Sequence, residues 1–180
     1  MKTTTYRRSA GQKMLSNEIA ERLGWAGKTD IGFRAMLGVL HAMRDVLPLD
    51  LVFRFSSALP LHIRAIFFEG YNPNAVSQIL YNRALLDHYK KRMGPGNADY
   101  FEQFLEHQRN RVPEREEFLQ MINSYSRLEK RVDPEEAFRV VLEILIKRGR
   151  NEKMHGVLLQ IPQHLLETTF PDSFSVKAIT

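Results

Sequence analysis

Two groups of residues have types and spacings suited to chemistry. The first is Glu152-x-x-His155. Residues three apart on a helix share a face, so a carboxylate and an imidazole at this spacing can approach one metal ion. Di-iron helix bundles use the motif twice, with further glutamates from the other helices. Here it occurs once. The residues three before His41, His62, His88, His107 and His164 are Gly38, Leu59, Leu85, Phe104 and Ile161. Half of a two-part motif reads more simply as an exposed polar pair. The second group is Arg64, Phe67, Phe68, Glu69 and Tyr71. An arginine offers a planar fork to an anion, and aromatics anchor interfaces. The plainer alternative makes Phe67 and a neighbour core and lets Arg64 bridge to an acid such as Glu69 or Asp45, since aromatic side chains more often serve packing.

Other candidates carry less. His62 and His164 stand at equivalent places near two helix starts, and a repeat in the chain accounts for that. Glu102 and Glu106 beside His107 fit a solvated helical face. No glycine-rich phosphate loop, Gly-x-Ser-x-Gly elbow or His-Glu-x-x-His motif is present. The chain has no cysteine, so disulfides, thiolate ligands and a cysteine nucleophile are excluded.

The elements that must position these groups are helices. The chain has 180 residues, 43% of them hydrophobic, enough for one core. No apolar run is long enough to span a bilayer, which, with the missing cysteines, suggests a cytoplasmic protein. The net charge is +5, of which Lys2, Arg7, Arg8 and Lys13 supply +4 before the first acid, Glu18. Four spread charges make a thin footprint for nucleic acid and disfavour that partner.

Leu15, Ile19 and Leu23 predict a first helix stopped at Gly24. Phe33, Met36, Leu37, Leu40 and Met43 predict a second, with Thr29 and Asp30 as capping oxygens. A short third helix covers 49–58. A fourth starts at Pro60 and closes at Gly70. Helices are expected over 75–92, 97–110 and 114–129. Asp133-Pro134-Glu135-Glu136 is the strongest local start signal, followed by a stripe of Phe138, Val141, Leu142 and Leu145. Short helices follow over 151–161 and from Pro162 to Pro171. No run alternates as a strand does, so the predicted fold is all-α.

The two halves repeat. Phe33, Met36, Leu37 and Leu40 match Phe138, Val141, Leu142 and Leu145 at an offset of 105. Beyond a three-residue deletion, Leu59, Pro60, His62 and Ile63 match Ile161, Pro162, His164 and Leu165 at 102. Repeated units of this kind bury their apolar faces on one another. The expected organisation is a basic leader (1–11), a first helical repeat (12–73), a helical insertion (74–112), a second repeat (113–171) and a tail (172–180). The repeats should pack about a pseudo-twofold axis.

These residues resemble a bacterial family, domain of unknown function 2267. Its pattern runs from an arginine near "RDRLP" through "LP", an arginine and paired aromatics to a "GW"-like end. Arg44, Leu47, Pro48, Leu59, Pro60, Arg64, Phe67, Phe68, Gly70 and Tyr71 fill those places, with Tyr71 in place of the tryptophan. In the second half Arg64 becomes Leu166 and the aromatics become Thr169-Phe170. The resemblance implies an all-helical, bacterial, cytoplasmic protein and carries over no catalytic residue. The expected function is a non-enzymatic scaffold, without cofactor, that binds a protein partner or itself. The rival expectation is a metal- or small-ligand-binding enzyme using Glu152 and His155.

Overall fold

A computed structural model describes residues 9–47, 49–71, 113–128, 131–149, 151–161 and 163–166, without the side chains of Leu49, Asn151, Glu152 and Gln163. The helices expected over 75–92 and 97–110 lie outside these residues. The chain divides into two compact units, one made of Met1–Glu69 with Pro113–Thr180 and one of Gly70–Val112. Every regular element among the described residues is a helix, so the fold is all-α. In the first unit these are α1 (Ala10–Arg22), α2 (Thr29–Val46), α3 (Leu49–Ala58), α4 (Leu61–Phe67), α5 (Arg115–Ser126), α6 (Pro134–Arg148), α7 (Asn151–Leu158) and α8 (Gln163–Leu166). No described helix is long and apolar enough to cross a membrane.

Local chemistry sets most of the boundaries. Ser9 opens α1 with a capping box: its Oγ accepts from Gln12 N at 3.2 Å, and Gln12 Oε1 accepts from Ser9 N at 2.8 Å. Gly24, at φ +77°, turns the chain after α1. Asp133 Oδ1 accepts from Glu135 N and Glu136 N, with Pro134 in the first turn of α6. Two starts differ from expectation. α2 already begins at Thr29, so Thr29 and Asp30 lie inside it, and Lys28 at the cap makes no side-chain bond. Asp30 pairs with Arg34 one turn on, at 2.9 Å. Pro60 is the cap of α4 and not its first residue. α5 stops at Ser126, three residues early, because Arg127 takes the left-handed conformation at φ +52°.

α2 is the central helix of this unit, packed against α1, α4, α5 and α6. Its buried face is wider than the predicted stripe. Ile31, Ala35, Val39 and Ala42 are buried beside Met36, Leu40 and Met43, whereas Phe33 and Leu37 are only half-buried. The large residues alone do not describe this face, because the small ones admit neighbouring backbones. A Cβ on Gly32 would collide with Ser16 O and stand 2.8 Å from Ala20 N, both on α1. A Cβ on Gly38 would stand 2.7 Å from Ile122 O and 2.7 Å from Ser126 Cβ, both on α5. α2 is therefore gripped from two sides through two glycines. At the repeat offset of 105 the residues on α6 are Ala137 and Glu143. The second half thus lacks the two gaps that make these crossings.

The rest of the core is aliphatic and aromatic. Phe118 meets Phe138 edge-on with centroids 5.0 Å apart, and Phe55 meets Phe67 at 5.4 Å. All four are fully buried, each stabilising by roughly 1.5–3 kcal/mol relative to exposure. α3 packs on α7, and α6 on α5 and α7.

Candidate functional site at the junction of α2, α4 and α5

Short helices expose a problem that long ones dilute. Their last carbonyls have no intrahelical partner, and the helix dipole places partial negative charge there. This chain closes three short helices with arginines from elsewhere. Arg64, on α4, donates from Nε to Ser56 O at 2.8 Å and from Nη2 to Ser57 O and Leu59 O at 3.3 and 3.4 Å, covering the end of α3. Arg44, on α2, donates from Nη1 to Phe67 O at 3.2 Å and Glu69 O at 2.9 Å, covering the end of α4. Arg115, on α5, donates to Leu165 O at 2.8 Å within α8 and pairs with Glu135.

Arg44 is 6% exposed. Its charge is balanced by Asp45, with Nε to Oδ1 at 2.8 Å and Nη2 to Oδ2 at 3.4 Å. The same carboxylate accepts from the Tyr125 hydroxyl of α5 at 2.5 Å. His41, one turn before Asp45, donates from Nε2 to Ile66 O at 3.0 Å. Its ring meets Tyr125 edge-on at 5.8 Å. His41, Arg44, Asp45 and Tyr125 therefore form one polar cluster that ties α2 to α4 and α5.

The environment sets the charge states. Burial lowers the His41 pKa from its ordinary 6.5; the bond to Ile66 O opposes this, and the Arg44 charge adds to the lowering. Burial pushes the Tyr125 phenol up to about 12, helped by its bond to Asp45. At neutral pH the phenol keeps its proton and the imidazole is neutral. With Nε2–H engaged, Nδ1 carries the lone pair. The phenol is a donor that resists ionisation, which suits a fastening bond and not a nucleophile.

The residues singled out in the sequence fall in different places. Arg64 is half-buried, and its bonds go to carbonyls at the end of α3, not to Glu69 or Asp45 as the plainer sequence reading had it. Phe67 is core. Phe68 is half-buried and touches Phe67 at 5.2 Å and Phe53 at 6.2 Å. The Glu69 side chain is exposed, and its carbonyl serves Arg44. Tyr71 is half-buried and belongs to the second unit. His155 is half-buried on α7, and the Glu152 side chain lies outside the described residues. No group of three or more His, Cys, Asp or Glu residues able to hold a metal occurs among the described residues. His62 lies against Gly11 at the start of α1, with its carbonyl accepting from Gln12 Nε2, while His164 donates to Pro113 O at 3.1 Å.

Two surface features complete the picture. Leu61 and Ala65 on α4 and Phe68 at its C-cap follow one stripe, with Leu61 78% exposed and Ala65 exposed. Phe53 of α3, 54% exposed, continues this stripe through its contact with Phe68. Sequence reasoning missed Phe53. Its signal is position: Val52 and Phe55 are buried on α3, and Phe53 points the other way. A cleft of about 580 Å³ at the α1–α2 turn is lined by Trp25, Lys28, Asp30 and Arg131. Neither a family model nor a curated protein matches this chain.

Proposed function

We propose that this chain is a non-enzymatic helical scaffold that docks a protein partner or a second copy through the exposed apolar surface of α3 and α4. The observation that carries this reading is the run Phe53–Phe68–Ala65–Leu61: four apolar residues, contiguous across two short helices, with Phe53 and Leu61 more than half exposed. Single exposed hydrophobics are ordinary, but a joined patch on rigid helices marks an interaction surface. The helices beneath it are held by Arg44 and Arg64, so the patch is presented on a fixed support. The arginines shared with the domain of unknown function 2267 pattern are these same two. We extend the proposal to membership of that bacterial family and to a cytoplasmic site of action. On this reading the family pattern records how short helices are closed.

The test is in-cell cross-linking of the full chain, wild type against a F53S/L61S variant. Both positions are solvent-facing, so the fold is retained. A cross-linked species, partner or second copy, that is lost in the variant supports the surface. A cross-linking pattern that the variant leaves intact rejects it.

A further inference from the structure

We infer that the occupant of this surface is a second copy of the chain, docked antiparallel through α3 about a twofold axis. The inference rests on the docking reading above and adds the partner. A twofold interface must be self-complementary, because each patch meets itself. α3 satisfies this condition around Phe53. Asp50 and Arg54 are exposed, of opposite sign, and one turn apart. In an antiparallel crossing centred between them, Asp50 of one copy faces Arg54 of the other, and the arrangement occurs twice. Phe53 sits beside the axis between the two pairs, with Phe68 supporting it from the end of α4.

The state of these charges in the single chain fits the inference. Asp50 and Arg54 stand at the spacing that commonly pairs on a helix, yet they form no ion pair with each other. Arg54 instead reaches across from α3 to Gln160, donating from Nη1 to Oε1 at 2.9 Å. Asp50 has no ion pair among the described residues. A heterologous partner would need only the apolar centre. Asp50 and Arg54, opposite in sign and one on each side of Phe53 along α3, are what a second copy matches.

The experiment is sedimentation velocity on the full chain over a wide concentration range, using wild type, D50R, R54D, and an equimolar mixture of the two variants. Wild type is expected to shift from monomer to dimer as concentration rises. Each single variant sets like charges opposite one another twice and should weaken dimerisation at least about tenfold. In the mixture every facing pair is again opposite in sign, so the heterodimer should recover wild-type strength. That recovery also shows that both variants fold. A chain that stays monomeric at all concentrations overturns the inference, as does a dimer indifferent to both charge reversals. The two readings separate in the cross-linking test: a monomer whose F53S/L61S variant loses a cross-linked partner keeps the docking surface and excludes the second copy. A monomer whose variant loses nothing removes both.

Discussion

Replacing glycine with alanine inside a helix ordinarily stabilises it, by about 0.5–1 kcal/mol, because alanine loses less backbone freedom on folding. The structure predicts that this rule reverses at two positions and holds at a third. At Gly38 the new methyl would lie 2.7 Å from Ile122 O and 3.0 Å from Ser126 N. Ordinary contact between carbon and these atoms needs upwards of about 3.4 Å, so α5 must retreat by more than half an ångström. Overpacking of this kind costs about 1–3 kcal/mol. Gly32 is tighter, with Ser16 O and Ala20 N of α1 both in the way, and backbone atoms cannot rotate aside as a side chain can. The expected loss there is about 2–4 kcal/mol. Gly156 on α7 has nothing within 4 Å of its added Cβ, so G156A should gain the usual ~0.5–1 kcal/mol. Urea unfolding followed by far-ultraviolet circular dichroism measures all three. At a slope of about 2 kcal/mol/M, G32A should lower the midpoint by about 1–2 M and G156A should raise it slightly. If G32A or G38A proves as stable as the wild type, α2 is not gripped through these glycines, and the account of its central position fails.

Two further outcomes follow from the polar cluster. R44M leaves Phe67 O and Glu69 O without the guanidinium and Asp45 with the Tyr125 hydroxyl alone, so it should cost about 1–3 kcal/mol by the same unfolding assay; a loss well below about 1 kcal/mol would show that water replaces the guanidinium easily. The His41 pKa is lowered in the folded state, so the unfolded chain binds the proton more readily. The stability contributed by neutral His41 is present above the ordinary value near 6.5 and is lost as pH falls through the lowered one. Comparing wild type with H41Q at about pH 7.5 and about pH 5 should show a steeper acid loss in the wild type, and parallel curves would refute the assignment.

Much of the fold was readable in the sequence because helical period and capping chemistry are local. Asp133-Pro134 announced α6 within four residues, and the Phe138 to Leu145 stripe identified its buried face. The stripe method failed on α2 for a physical reason. It counts large apolar side chains, whereas the packing of α2 depends on where side chains are missing. Gly32 and Gly38 look like weak points in a helix until the backbones they admit are known. The polar cluster was illegible for a different reason. Arg44 and Asp45 are adjacent, but the carbonyls that use Arg44 lie more than twenty residues on, and Tyr125 lies 80 residues from Asp45. No spacing rule links groups brought together only by tertiary packing. Arg64 shows the converse error: its residue type suggested an anion contact, and the anion-like partner proved to be the end of α3.

The two places where the chain leaves and re-enters the first unit are both fastened. Glu69, the last residue before the second unit, has its carbonyl held by Arg44, and Pro113, the first residue after it, has its carbonyl held by His164. Each fastening comes from within the first unit, so neither depends on what joins the two ends. The first unit is therefore built as a socket in the chain. Its two rims, Glu69 and Pro113, are each held by a side chain of the unit itself.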